Sequence, residues 1–245
     1  GLKSWRAFEE WPPRDIPTLQ LGFAPGGKLL LGEEGAPEDK FEYISDPAKP
    51  VPHRSEVTPL TFTPRAYMTD DQRHASRRPD VLTFRSEILT EDLNVAGENA
   101  AKLKVLLSSE DADFIVKVID VYPDNAEATA ATPDHVQMPG YQQLVRAEVF
   151  RGRFRNSFAN PEPFTPGEET EVNFPLQDIL HTFKAWHRLM IQIHSTWFPY
   201  IDRNPQKWVD NIYEAEADDF IKAEITVTGG SQVIIGARED ERIQL

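Results

Sequence analysis

The first catalytic residue to look for is a serine nucleophile, because the chain contains no Cys that could take that role. The nucleophile-elbow pattern, Gly-x-Ser-x-Gly, places the serine on a sharp turn between a strand and a helix. The nearest match is Gly229-Gly230-Ser231-Gln232-Val233, which lacks the second glycine and precedes a strand-like segment. Gly-x-Gly-x-x-Gly and Walker A spacings do not occur either. The sequence therefore predicts a turn at this serine and no catalytic residue.

Histidines and carboxylates give no metal-binding pattern. His181, His187 and His194 do not have the four-residue spacing of a helical zinc pair, and His194 fits a hydrogen-bonded histidine within a sheet. The carboxylates that could bind calcium are Asp111, Asp113, Asp120 and Asp124. They lack EF-hand spacing, and so acidic a chain contains incidental clusters. We expect no metal and no other cofactor.

An aromatic cluster raises the possibility of carbohydrate binding, because aromatic rings can form platforms for sugars. Its members are Trp186, Trp197, Phe198, Tyr200 and Trp208. Trp197 and Phe198 end an apolar strand-like segment, which instead favours core positions for both. The two interpretations stay open at this point.

The charge of the chain excludes several partners. The 245 residues include 26 Lys and Arg and 40 Asp and Glu, which gives a net charge of −14. Such a chain repels nucleic-acid backbones and anionic lipid surfaces. No apolar run is long enough to cross a bilayer, and the first residues lack a signal-peptide pattern. We expect neither nucleic-acid nor membrane binding, and we interpret the sequence as a mature or excised chain.

Short alternating segments predict an all-β fold with one or two short helices. Residues 18–23 and 28–31 flank a Pro25-Gly26-Gly27 turn and predict a hairpin. Residues 223–228 and 232–235 flank Gly229-Gly230 and predict a closing hairpin. The other strand candidates are 81–84, 93–97, 102–106, 114–122, 143–150, 171–174 and 188–195. Apolar spacing predicts short helices at 178–186 and 210–221. This pattern is typical of an antiparallel β-sandwich or jelly roll.

A series of motifs resembles the C-terminal domain of the cocaine esterase/X-prolyl dipeptidyl-peptidase hydrolases. The matching segments are 43–52, 71–73, 78–84, 89–93, 113–124, 140–142, 150–158 and 197–206. The later segments are most similar to the α-amino-acid ester hydrolase/glutaryl-7-aminocephalosporanic acid acylase branch. The resemblance covers residues 41–236 and implies a galactose-binding-like jelly roll. It divides the chain into residues 1–40, an extension or connection with a short hairpin, and residues 41–245, the jelly-roll domain.

The resemblance also implies a role without catalysis for this chain. In the family, an α/β-hydrolase domain precedes the jelly roll and carries the Ser, Asp and His of the triad. We therefore expect the accessory domain of a serine hydrolase acting on ester or amide bonds, or of a dipeptidyl-peptidase. It would pack on the hydrolase domain, help to shape its acyl pocket and support homo-oligomer contacts. Relatives are often exported, so a periplasmic or secreted location is the expectation. A carbohydrate-binding module and a pure assembly domain are the alternatives.

Two groups of residues follow from the resemblance as site candidates. The family segment between Pro52 and Asp71 tends to face the hydrolase domain, which makes Phe62, Tyr67 and Met68 candidates for pocket- or hydrolase-facing residues.

The second group is Asp202-Arg203-Asn204, which we interpret as a structural motif, because a carboxylate and a guanidinium make charge-assisted hydrogen bonds. We expect Arg151, Arg153 and Arg155 to lie on one strand face, either bridging to a partner domain or solvated. One departure from the family is Trp186, which stands where a glycine is common.

Overall fold

The protein is a β-sandwich with few helical turns. The computed structural model describes residues 5–14, 16–56, 65–130, 132–134 and 136–238. The strands are β1 (Thr18–Ala24), β2 (Lys28–Leu31), β3 (Lys40–Ser45), β4 (Leu82–Arg85), β5 (Leu93–Leu107), β6 (Asp113–Val121), β7 (Gln142–Arg151), β8 (Thr170–Phe183), β9 (Arg188–His194), β10 (Ala223–Thr228) and β11 (Gln232–Arg238). The helix α1 is Arg73–Ser76, and single 3-10 turns cover Arg65–Met68, Gly152–Phe154, Ile212–Glu214 and Ala217–Asp219. This confirms the all-β prediction.

Hydrogen bonds connect the strands in the order β3-β10-β5-β11-β1-β2-β4-β9-β6-β7, with β8 pairing with β5. Every pairing is antiparallel except the contact between β2 and β4, where Lys28 lies opposite Arg85. One apolar core contains side chains from both halves of this order, for example Leu103 of β5 and Val116 of β6. The two halves of the path therefore pack face to face.

The strand β6 lies at the centre of one layer, as its two apolar faces predict. It pairs with β7 on one side and β9 on the other, and every residue in it is buried. Phe114, Val116 and Val118 point into the main core. The opposite face of β6 also carries Lys117, which is fully buried.

The N-terminal hairpin is confirmed and belongs to the sheet. Within it, β1 pairs with β2, and on its other side β1 pairs with β11, with Thr18 opposite Gly236. The division of the chain at residue 40 stays a prediction.

The predicted closing hairpin is wrong. Both β10 and β11 pair antiparallel with β5, one after the other along its length, so the chain continues past Gly229-Gly230 instead of reversing. Neither glycine has the positive φ that a tight hairpin turn requires. Gly229 serves a close approach instead: its N–H donates to Asp39 O at 2.8 Å, and a Cβ there would clash with the carbonyl oxygen of Ala36.

The helix predicted at 178–186 is also wrong, because β8 runs through Phe183. Opposite Gly97 and Asn99 of β5 lie Ile179 and Leu176, so β8 has one more residue than β5 at this point. Such a β-bulge shifts the alternation of buried positions. Of the apolar residues that suggest the helix, Ile179 and Phe183 are buried, whereas Leu180 is 49% exposed, because successive residues of a strand point to opposite faces.

The second predicted helix, at 210–221, is replaced by the 3-10 turns Ile212–Glu214 and Ala217–Asp219. None of the helical segments within the described ranges has the length and apolar character that a bilayer crossing requires.

Candidate functional site

Two of the predicted hydrolase-facing residues line one cleft beside β7. We call it the β7 cleft; it has a volume of about 500 Å³ and is lined by Tyr67, Met68, Asp113, Arg151, Phe154, Gln177, Trp197, Tyr200, Ile201 and residues 144–149. Tyr67 and Met68 come from a 3-10 turn, and Tyr200 follows the end of β9. The third candidate, Phe62, lies outside the described residues.

Aromatic rings form one wall of the β7 cleft. The Tyr67 hydroxyl donates to the Tyr200 hydroxyl at 2.9 Å, and the two ring centroids are 4.6 Å apart. Trp197 packs edge-on against both rings and is itself buried. Burial and the bond to Tyr200 raise the pKa of Tyr67 to about 12, so its hydroxyl keeps its proton at neutral pH. The rim is open: Met68 is 53% exposed.

The segment that carries Tyr67 is tied to β7 by several bonds. The Tyr141 hydroxyl donates to the carbonyl oxygen of Thr69, and Gln72 N–H donates to Gln142 O at 3.0 Å. Arg54 pairs with Asp70 at 2.8 Å. These bonds fix the position of the aromatic wall relative to the strand opposite it.

A partly buried charge network forms the floor of the β7 cleft. Arg151 donates to both carboxylate oxygens of Asp113, at 3.1 and 3.2 Å, and to Asp202 at 2.9 Å. Asn204 donates to Asp113 at 2.8 Å. Burial raises the pKa of Asp113 to about 6 against the opposing effect of Arg151 and Asn204, which leaves the carboxylate ionised at pH 7. Arg151, the cation of this floor, is thus bonded to two carboxylates.

The predicted motif Asp202-Arg203-Asn204 supplies two members of this network. Arg203 itself donates to Pro47 O at 2.9 Å, and its guanidinium lies 4.9 Å from the ring centroid of Phe220. Asn204 also accepts the N–H of Gln206 at 2.7 Å. These contacts lie within the protein, and the structural role of the motif stays a prediction.

The prediction that Arg151, Arg153 and Arg155 lie on one strand face is wrong. Arg151 ends β7, whereas Arg153 and Arg155 lie in and after the following 3-10 turn. Arg153 donates to Asp111 at 2.8 Å, and Arg155 donates to Glu162 O at 2.8 Å. Their partners are thus groups of this chain, because the turn directs the side chains back onto the loop and the strand beside it.

The aromatic residues that suggested a sugar platform lie in different surroundings. Trp197 is buried as the core interpretation predicts, but Phe198 is 40% exposed. Trp208 lies under the guanidinium of Arg153, at 4.4 Å. Trp186 lines another cleft, away from Trp197 and Tyr200. The five residues therefore do not form a single sugar platform.

A buried lysine behind the β7 cleft has no signal in the sequence beyond its place in a central strand. The Lys117 ammonium lies 4.6 Å from the ring centroid of Trp197 and donates to Gln72 Oε1 at 3.1 Å. Burial lowers the pKa of Lys117 to about 7. Its positive charge also helps burial to lower the pKa of His194, which keeps that imidazole neutral.

His181 and His187, which have no zinc spacing in the sequence, meet at one carboxylate. Asp120 of β6 bonds His181 Nε2 at 2.9 Å and His187 Nδ1 at 2.7 Å. Burial raises the pKa of Asp120, but the two histidine bonds outweigh it and the pKa is lowered. The described residues contain no group of three or more metal-ligating side chains. His194 Nδ1 bonds Thr196 O at 2.7 Å, which confirms it as a hydrogen-bonded histidine of the sheet.

Comparison with known proteins defines the class of this fold. Residues 1–237 match the X-Pro dipeptidyl-peptidase C-terminal non-catalytic domain. The chain belongs to that family: it is the non-catalytic C-terminal domain of a hydrolase of the cocaine esterase/X-Pro dipeptidyl-peptidase type.

Three relatives illustrate the similarity. The cocaine esterase of Rhodococcus sp. (strain MB1 Bresler) is 32% identical over 212 residues, which are 83% of this chain and 34% of the esterase. An aminopeptidase from a marine sediment archaeon, Thaumarchaeota archaeon, is 38% identical with a TM-score of 0.86, over 96% of this chain and 38% of the aminopeptidase. An α-amino acid ester hydrolase is 40% identical with a TM-score of 0.77, over 89% of this chain and 36% of the hydrolase. The chain thus spans little more than a third of these relatives.

Proposed function

We propose that this domain packs through the rim of the β7 cleft on the α/β-hydrolase domain of a serine hydrolase and helps to shape its acyl pocket. The observation that carries the proposal is the exposed apolar and aromatic rim, in which Met68 is 53% and Tyr200 37% exposed. Relatives of this family are almost three times as long as the matched region, which supports a further domain in the parent protein.

The electrostatics of the β7 cleft support a protein partner over a charged substrate. Two partly buried cations line it: Arg151 is held by Asp113 and Asp202, and Arg146 donates to Gln177 Oε1 and Asp178 O. A cation whose N–H groups already have partners loses less when water is removed from it than a cation without partners. Packing another domain over Met68 and Tyr200 therefore gains apolar contact at a low electrostatic cost.

Photocrosslinking in the full-length hydrolase tests the docking. A benzophenone amino acid replaces Met68 in one variant. In the control variant it replaces Ile44 of β3. The two positions are matched in exposure, at 53% and 54%. We expect crosslinks to the hydrolase domain from position 68 and none from position 44. Crosslinks from position 44 alone, or from neither, would contradict the proposed face.

Kinetics test the effect on the acyl pocket. Met68→Glu places a charge on the rim, and we expect a lower kcat/KM for ester or amide substrates, with Ile44→Glu at the wild-type value. Labelling of this chain alone with a fluorophosphonate serves as a separate check, because stoichiometric modification would identify a reactive serine within it. An unchanged kcat/KM in Met68→Glu would remove the pocket-shaping role even where docking holds.

A further inference from the structure

A second concave region lies at one end of the sandwich and shares no lining residue with the β7 cleft. It forms where the β1–β2 turn, the ends of β4 and β6 and the start of β9 meet, and we call it the end groove. Its two lobes have volumes of about 950 and 510 Å³. Both are lined by Gly26, Gly27, Arg85, Val121 and Asp124, so the lobes adjoin at these residues. These dimensions suit a small molecule.

The end groove carries exposed cations that are not neutralised. Lys28, Arg77 and Arg85 line it and are exposed, and none of them forms an ion pair with a described residue. Arg73 and Arg188 also line it but are bonded, to Asp71 and to Ser86 O.

In a protein of net charge −14, such a cluster is a local site of attraction for anions. Asp124 lines both lobes and Glu87 lines the larger one, and these carboxylates repel a second negative charge, which favours a monoanion over phosphate.

Trp186 provides an aromatic surface in the larger lobe. It lies on the turn between β8 and β9 with a φ of 72°, in the left-handed region that favours glycine, and it is 70% exposed. The backbone is held there by Trp186 N–H, which donates to Leu89 O at 2.8 Å. Ile88, 47% exposed, and Tyr122 line the same lobe. A strained, exposed tryptophan beside apolar neighbours suits stacking with a planar ring.

The smaller lobe contains polar atoms with spare hydrogen-bonding capacity. Gln142 is only 7% exposed, and its Oε1 has no partner among the residues described. Thr83 Oγ1, in the same lobe, is likewise buried without one in those ranges. Buried polar atoms are ordinarily hydrogen-bonded. Gln142 Oε1 can only accept a bond, whereas the Thr83 hydroxyl can donate one to a carboxylate that enters this lobe.

We propose that the end groove binds a small aromatic carboxylate, with the carboxylate at Arg85 and the ring on Trp186. An arginine binds a carboxylate through two parallel N–H bonds, and Arg85 lies where the two lobes meet. Lys28 and Arg77 add attraction from either side. This site is independent of the proposed docking face, so either can fail without the other.

NMR titration of the 245-residue chain tests the proposal with phenylacetate as the probe. The chain has five tryptophans, and the Trp186 indole N–H signal is assigned by its loss in Trp186→Gly. We expect a saturable shift of that signal. Acetate, which lacks the ring, and benzyl alcohol, which lacks the charge, should each bind at least about tenfold more weakly.

Variants separate a binding role from a structural one. Arg85→Gln should weaken phenylacetate binding about tenfold, whereas Arg14→Gln, which changes an arginine 79% exposed, should leave it unchanged. Trp186→Gly relieves the left-handed strain, so it should fold at least as well as the wild type and yet lose binding. Absence of a saturable Trp186 shift, or equal binding by wild type and Arg85→Gln, would overturn the site. Tighter binding of inorganic phosphate than of phenylacetate would overturn its assignment to a carboxylate.

Discussion

In the β7 cleft, Arg151 is bonded to Asp113 and Asp202, whereas in the end groove Arg77 and Arg85 form no ion pair with a described residue. Arg151 and these two arginines are thus the same residue type in different surroundings. An arginine that forms ion pairs within the domain stabilises the fold and leaves the surface above it suited to apolar packing. An unpaired, exposed arginine adds little to stability and remains free for a ligand. Stability measurements can therefore distinguish the two regions.

The largest effect is expected for Arg151→Ala, which leaves Asp113, 2% exposed, with Asn204 as its remaining partner. We expect the free energy of unfolding at pH 7 to fall by about 3 kcal/mol, because a buried carboxylate loses its cation. Urea denaturation measures this. Arg77→Ala, in the end groove, should change it by less than about 0.5 kcal/mol. Equal losses of stability in Arg151→Ala and Arg77→Ala would show that the two arginines do not differ in this way.

The pH dependence of the Arg151→Ala loss has a definite sign. Burial raises the pKa of Asp113 to about 6 in the folded wild type, above the 3.8 of an unperturbed aspartate. Folding therefore takes up a proton between these values, and stability falls as the pH rises through that range. Without Arg151 the folded pKa rises further, so the loss should be smaller at pH 5 than at pH 7. A loss independent of pH would contradict the assigned role.

The next effect concerns Lys117, which lies behind Trp197 of the β7 cleft. Its folded pKa of about 7 lies below the model-peptide value of 10.5, so the unfolded chain binds one more proton between these values. The free energy of unfolding should therefore rise with pH, by about 3 kcal/mol between about pH 7 and pH 9.5 at ~1.4 kcal/mol per pH unit. Lys117→Met should abolish the rise, and Lys102→Met, at an exposed position of β5, should retain it. Thermal denaturation across this pH range decides between them.

A smaller effect of opposite sign is expected at Trp186 in the end groove. Trp186→Gly should raise the free energy of unfolding by about 1 kcal/mol, because glycine adopts a φ of 72° without the Cβ clash. Trp186→Ala keeps the Cβ and should give no such gain. A loss of stability in Trp186→Gly would mean that the exposed ring contributes more to packing than to a binding surface.

The smallest effect is expected at the rim of the β7 cleft. Met68→Glu in the isolated chain should change the free energy of unfolding by less than about 0.5 kcal/mol, as should Ile44→Glu, because both side chains are more than half exposed. Calorimetry provides the measurement. A large loss would show that Met68 stabilises this domain itself, which would weaken its assignment to the docking rim.

Local patterns predicted the parts of the fold that depend on neighbours in sequence. The hairpin around Pro25-Gly26-Gly27 and the central strand β6 both follow from alternation and turn residues. Two of the errors arose where distant segments decide the geometry. Residues 179–183 are a strand because they pair with β5, and Gly229 is required by the approach of Ala36.

The site was less predictable than the fold. Tyr67 and Met68 were reached through family resemblance, and the partners in the cleft floor could not be paired from sequence. Asp113 and Arg151 are 38 residues apart and meet only because β6 and β7 are neighbours. Spacing rules for metal sites likewise give no indication that His181 and His187 share Asp120.

The pairing of Thr18 with Gly236 has a mechanical consequence. Because β1 and β11 are antiparallel neighbours, the polypeptide enters the sheet and leaves it at the same end, with adjacent strands roughly 4.8 Å apart. A pulling force applied to these two positions breaks the hydrogen bonds between β1 and β11 one after another rather than all at once. Tension applied along this direction should therefore separate β1 from β11 before it disturbs β6.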